Sequence, residues 1–152
     1  MKVIYNDGHV AECPEDEELH VIRHTAAHVL AQAVKRLYPD AHFAYGPATE
    51  KGFYYDVDLG DKKLSDEDLP AIEAEMAKIV KENLPIKPFV LSREDAVKLM
   101  EERGETYKVE HIGDLPEDAV LSFYQQGEYI DMCVGPHLTY TKALKAFKLT
   151  QL

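Results

Sequence analysis

Two short motifs at opposite ends of the chain limit what it can fold into. His24-Thr-Ala-Ala-His28 lies near the start, and Cys133-Val-Gly-Pro-His137 near the end. In each, the two reactive residues stand four positions apart. Together they offer three imidazoles and one thiol, a ligand set suited to zinc. Only a fold that returns the end of the chain onto its beginning makes one site of them.

The local pattern predicts how that return is made. Residues 1–12 read as two short strands around a turn at Asn6-Asp7-Gly8. A helix follows from Glu17 to Tyr38, with Ile22, Ala26, Val29, Ala33 and Leu37 on one stripe. His24 and His28 point away from that stripe. Val21, Leu30 and Val34 make other sides of the helix apolar, so it should be largely buried. A hairpin is predicted from His42–Pro47 and Gly52–Leu59, with Phe53, Tyr55 and Val57 on one face and Tyr54, Asp56 and Asp58 on the other. A second helix starts at Ser65, paired with Asp68 in a capping box, and buries Leu69, Ile72, Met76 and Ile79. Strand 86–91 and a third helix from Ser92 to Arg103 come next, stopped by Gly104. The last third reads as strands at 105–111, 120–126 and 128–134, with a turn at Gly127 and a short irregular tail. In the last strand Ile130 and Met132 face one way, and Asp131 and Cys133 share the other face. The order β-α-ββ-α-β-α-βββ is an α+β fold, with helices packed on a mainly antiparallel sheet.

Composition sets bounds on function. The 152 residues suffice for one core but not for two ordinary domains. A net charge of −11, from 28 acidic and 17 basic residues, argues against broad nucleic-acid binding, which needs a basic face. It leaves room for a nucleic-acid end held in a local pocket. No apolar run reaches the roughly 18 residues of a membrane span. No basic-then-apolar leader opens the chain, which points to a cytoplasmic protein. Cys13, in an acidic stretch, reads as a bystander.

Three chemistries are open to the motif residues. His24, His28, Cys133 and His137 could bind zinc, and a closed set of four protein ligands is usually structural. Without a metal, His24 or His28 with Asp131 and Cys133 could position a water and accept its proton. A cysteine nucleophile is the third option and needs a dedicated base. Lys108, expected on strand 105–111, could steady an oxyanion or phosphate. Tyr54 or Tyr55 could stack on a base.

These segments resemble a known family. RHTAAH at 23–28, GPATEKGFYYDVD at 46–58, RGETYKVE at 103–110 and EYIDMCVGPH at 128–137 are similar to the editing domain of bacterial-type threonyl-tRNA synthetase. The likeness runs from about Leu19 to the end. The paired motifs are shared with alanyl-tRNA editing proteins. The resemblance implies hydrolysis of serine mischarged on tRNA(Thr), whose 3′ end enters a cleft of His24, His28, Cys133 and His137. Asp131, Lys108 and Tyr55 stand beside it, with Lys108 and Tyr55 also touching substrate. It implies that no cofactor is required, or that zinc sits on the four motif residues as in the alanyl relatives.

It further implies that residues 1–18 are a remnant N-terminal hairpin and linker and that 19–152 are the editing domain. The aminoacylation core and the anticodon domain of the parent synthetase would lie outside this chain. Two other readings stay open. One is a non-catalytic, metal-stabilised module that positions tRNA; the other is a freestanding deacylase of Ala-tRNA type.

Overall fold

The computed structural model describes residues 1–43, 48–49, 52–53, 55, 57–59, 64–116, 118, 121–145, 147 and 149. The chain opens with the hairpin β1 (Lys2–Ile4) and β2 (Val10–Glu12), paired from Lys2↔Glu12 to Ile4↔Val10. A 3-10 turn, Glu15–Glu17, puts acidic side chains at the start of α1 (Glu18–Leu37), where the helix dipole favours them. Next come β3 (His42–Phe43), β4 (Ala48–Thr49), β5 (Gly52–Phe53) and β6 (Val57–Asp58). They pair as expected of a hairpin, β4 with β5 and β3 with β6. Tyr54, Asp56 and the turn at Glu50-Lys51 lie outside the described residues.

Ser65 opens the next helical stretch as anticipated, its N–H donating to the Asp68 carboxylate at 2.8 Å. A 3-10 turn then leads into α2 (Leu69–Glu82), with Pro70 in its first turn, where a missing N–H costs nothing. Strand β7 (Ile86–Leu91) is followed by α3 (Arg93–Glu102), whose cap, Ser92 Oγ, accepts from the Asp95 N–H at 3.3 Å.

The predicted strand at 105–111 is instead a helix, α4 (Thr106–Gly113). Its residues alternate as a strand's would, but Lys108 and Ile112, four apart, are both buried. Glu110 between them is exposed, although a strand would put 108, 110 and 112 on one face; helical spacing separates it from the buried pair. β8 (Leu121–Gln126), β9 (Tyr129–Met132) and β10 (His137–Leu138) complete the chain's regular elements, with a 3-10 turn at Thr141–Ala143.

Among the described residues the strands form antiparallel sheets β10-β1-β2 and β7-β8-β9 and the two short pairs above. The α+β expectation holds. The β7-β8-β9 sheet has a core on each face. On one, Phe89, Leu121, Phe123, Ile130 and Met132 pack against Ala96 and Met100 of α3 and Ile112 of α4. On the other, Ile86, Tyr124 and Tyr129 join the main core with α1 and α2. Helix α1 is buried on most sides, as its sequence suggested, although Leu37 at its end is exposed. One unforeseen pairing places the site. β10 joins β1 with Ile4↔His137 and Val3↔Leu138, so the N-terminal hairpin forms a sheet with the second motif.

Candidate active site

Helix α1 and the segment from β9 to β10 bring the two motifs together. The ligand atoms of His24, His28, Cys133 and His137 all lie within 4.8 Å of one another. The imidazole centroids are 5.1 Å apart for His24–His28, 4.1 Å for His24–His137 and 4.3 Å for His28–His137. His24 and His28 meet because one helical turn stacks residues four apart. Cys133 follows β9 and extends its ladder by one residue. Its N–H donates to the Ser122 carbonyl at 3.1 Å, and the Ser122 hydroxyl donates to the Cys133 carbonyl at 2.6 Å. The Gly135-Pro136 turn then brings His137 back, with Nε2 3.3 Å from Cys133 Sγ.

This donor set fits zinc in kind and nearly in spacing. With bonds of about 2.0–2.3 Å, tetrahedral neighbours lie roughly 3.3–3.8 Å apart. Cys133 and His137 already meet that distance.

Burial decides the charge of the rings. It pushes the pKa of His24 down to about 4, helped by the nearby His20. Burial likewise holds His28 and His137 well below the usual histidine range, with repulsion from the other cluster rings adding to it. All three imidazoles are therefore neutral near pH 7. Burial, and then the Asp131 charge, push the Cys133 thiol upward. A protonated thiol is a poor nucleophile, so the cysteine-nucleophile option loses its footing in the metal-free cluster.

Behind the cluster lies an organised polar network. Asp131 is 3% exposed, on the same face of β9 as Tyr129. Its Oδ1 takes the Lys108 ammonium at 3.0 Å. Its Oδ2 accepts from the hydroxyls of Tyr55 at 2.5 Å and Tyr129 at 3.0 Å, and lies 3.4 Å from His28 Nε2. Lys108 also donates to Tyr55 Oη at 3.0 Å. Burial and the Asp131 charge raise both tyrosine pKa values well above the ordinary one, so both remain donors.

Every residue singled out in the sequence and described by the structure therefore stands in this one region. Lys108 arrives from α4 rather than from a strand. Tyr54 lies outside the described residues. Sequence reasoning missed two members. Tyr129 stands two positions before Asp131, and strand alternation alone could have found it. Thr25 sits inside the first motif, and its Oγ1 lies 3.0 Å from His137 Nδ1 while accepting from the Leu138 N–H at 3.2 Å. A single helix thus supplies both the facing rings and a support for the ring opposite.

A separate cavity of about 240 Å³ lies towards the other end of α1, where Arg36 pairs with Glu82 and Glu128 and Lys35 stands 3.8 Å from Glu105. Lys35 and Arg36 are matched by these acids, Arg103 donates to the Glu128 carbonyl, and the four motif residues do not line the cavity.

Comparison with known proteins places this arrangement. Residues 121–151, which include β9 and the whole second motif, match the family described as threonyl and alanyl tRNA synthetase second additional domain. The threonine-tRNA ligase of Clostridioides difficile is 60% identical over 136 residues, 89% of this chain and 21% of that protein. Over residues 121–151 the chain is similar to this family, and over most of its length to threonine-tRNA ligases. The threonine-tRNA ligases of Carboxydothermus hydrogenoformans and Clostridium novyi are 56% and 57% identical over 91% and 98% of the chain. The chain spans 21–24% of the length of these three curated relatives. No helix among the described residues is long and apolar enough to cross a membrane.

Proposed function

We propose that the domain edits tRNA, hydrolysing the ester of serine mischarged on tRNA(Thr) within a parent threonine-tRNA ligase. One observation carries this reading. Two motifs from opposite ends of the chain converge with Asp131, Lys108 and Tyr55 in one polar cluster, in a chain closely related to a segment of such ligases.

The chemical need is physical. Serine lacks one methyl of threonine, and a methyl is worth only about 1–3 kcal/mol of discrimination. A second, tighter site completes the selection. The 3′-terminal adenosine of the tRNA presents the seryl ester between α1 and the Cys133–His137 arm. A water held by the neutral rings of His24 and His28 attacks the carbonyl carbon. The carbon–oxygen bond to the ribose then breaks, the ribose oxygen takes a proton, and serine leaves as the free acid. Asp131, held by Lys108 and two tyrosines, fixes the ring of His28. A zinc ion on His24, His28, Cys133 and His137 would add Lewis acidity towards the ester carbonyl.

The partners implied are the 3′ end of tRNA(Thr) and the remainder of the synthetase. Against a non-catalytic positioning module stands the investment in buried donors around Asp131, which a merely structural zinc site does not need.

The test is deacylation of Ser-tRNA(Thr) by the full-length ligase. His24→Ala and Cys133→Ala are expected to lose most of it while aminoacylation with threonine persists. Wild-type turnover in both variants would sink the reading. A panel including Ala-charged tRNA separates it from an alanyl-type deacylase.

A further inference from the structure

The N-terminal hairpin holds the segment that carries Cys133 and His137. Asn6, in the turn between β1 and β2, accepts with Oδ1 from the Gly135 N–H at 2.9 Å and from the Tyr124 hydroxyl at 2.8 Å. Two residues earlier, Ile4 pairs with His137 in the β1–β10 ladder. Val3 beside it is fully buried, so the hairpin is anchored in the main core. The arm from Cys133 to His137 is thus fixed at Gly135 by a side chain and at His137 by a strand. Tyr124 ties the two together, since its ring lies edge-on to His137 with centroids 4.6 Å apart. The fit is close. A Cβ at position 135 would stand 1.9 Å from Tyr124 Oη, so glycine alone lets this hydroxyl reach Asn6.

We propose that Asn6 is a positioning residue of the cleft. Its carboxamide oxygen clamps the Gly135 N–H and the Tyr124 hydroxyl, and so sets where Cys133 and His137 stand opposite His24 and His28. Both partners donate, so what position 6 must supply is an acceptor oxygen. Asn6→Asp keeps that oxygen, whereas Asn6→Ala strips the Gly135 N–H of its partner and leaves the Tyr124 hydroxyl with the Ile4 carbonyl, 3.2 Å away. The catalytic consequence rests on the hydrolytic reading above. The clamp itself does not.

The experiment combines amide hydrogen exchange by NMR on the 152-residue chain with single-turnover deacylation of precharged Ser-tRNA(Thr) by the same chain. In Asn6→Ala, exchange at Gly135 should accelerate about tenfold, with β7 and β8 amides unchanged. The deacylation rate at saturating chain should fall, and half-saturation should stay near wild type. Asn6→Asp should restore both. The proposal is overturned if Gly135 exchanges at the wild-type rate in Asn6→Ala. It is overturned equally if Asn6→Asp is as damaging as Asn6→Ala, or if Asn6→Ala unfolds the chain globally, since the residue then serves folding rather than placement. A wild-type chain that leaves Ser-tRNA(Thr) intact overturns the hydrolytic reading alone, and exchange at Gly135 still judges the clamp.

Discussion

Lys108 of α4 and Asp131 of β9 form an ion pair at 3.0 Å, with Lys108 8% and Asp131 3% exposed. Removing one partner leaves the other charged in a low-dielectric interior, which typically costs about 3–5 kcal/mol. Lys108→Met and Asp131→Asn are each expected to lower stability by a cost of that order. The double variant should be less damaged than the sum of the two. Urea unfolding of all four proteins measures the coupling, and additive losses would show that the pair does not act as a unit.

The buried imidazoles predict acid sensitivity. His24, His28 and His137 all have folded-state pKa values below the ordinary histidine value, and that of His24 is about 4. The unfolded chain takes up protons on these rings below about pH 6.5 while the folded chain does not. Their contribution to stability is therefore complete above pH 6.5 and lost as the pH falls from there towards 4. Denaturant midpoints followed from pH 7.5 to 4.5 should drop, and His24→Gln should make the drop shallower. An unchanged slope in that variant would contradict burial of the neutral ring.

Thr25 provides a test of how His137 is held. Its hydroxyl serves both His137 Nδ1 and the Leu138 N–H. Thr25→Val removes both contacts at nearly constant volume and should cost about 1–3 kcal/mol. It should also slow deacylation. Thr25→Ser keeps the hydroxyl and should restore activity more fully than stability. Equal activity in the two variants would remove Thr25 from the account.

Zinc binding has a readout independent of activity. A ligand that binds only the folded state stabilises it by about 2.7 kcal/mol at a hundred times its Kd. Added zinc should raise the Tm of the wild-type chain, and Cys133→Ala or His137→Ala should abolish the rise. His9→Ala, in the exposed N-terminal turn, should leave it intact. No rise in the wild type, with no metal released on chelation, would favour the metal-free cleft.

Much of the fold was legible because its signals are local. The long apolar run of α1, the Ser65 and Ser92 caps and the turn at Gly127 each depend on residues within a few positions. Convergence of the motifs was legible as a requirement, since neither His24 with His28 nor Cys133 with His137 makes a four-residue set alone. Two elements were not legible. In α4, Thr106, Val109 and Ile112 include β-branched residues that suit a strand, and packing of Ile112 against α3 overrides that preference. β10 is two residues long, too short for any periodicity, and exists because β1 pairs with it. The role of Asn6 was hidden for the same reason, since its partners Tyr124 and Gly135 lie at the other end of the chain.

Strand β9 serves two neighbours by turns. Tyr129 and Asp131 face the side of the His/Cys cluster, while Ile130 and Met132 face α3 and α4. A slip of one residue against β8 would carry a carboxylate into oil and an isoleucine in beside His28 and Lys108, with nothing intermediate available. The cluster around Asp131 is consequently an all-or-none object. Damage to the remote layer of helices should reduce the fraction of molecules that possess a working site and leave the rate of each intact molecule unchanged.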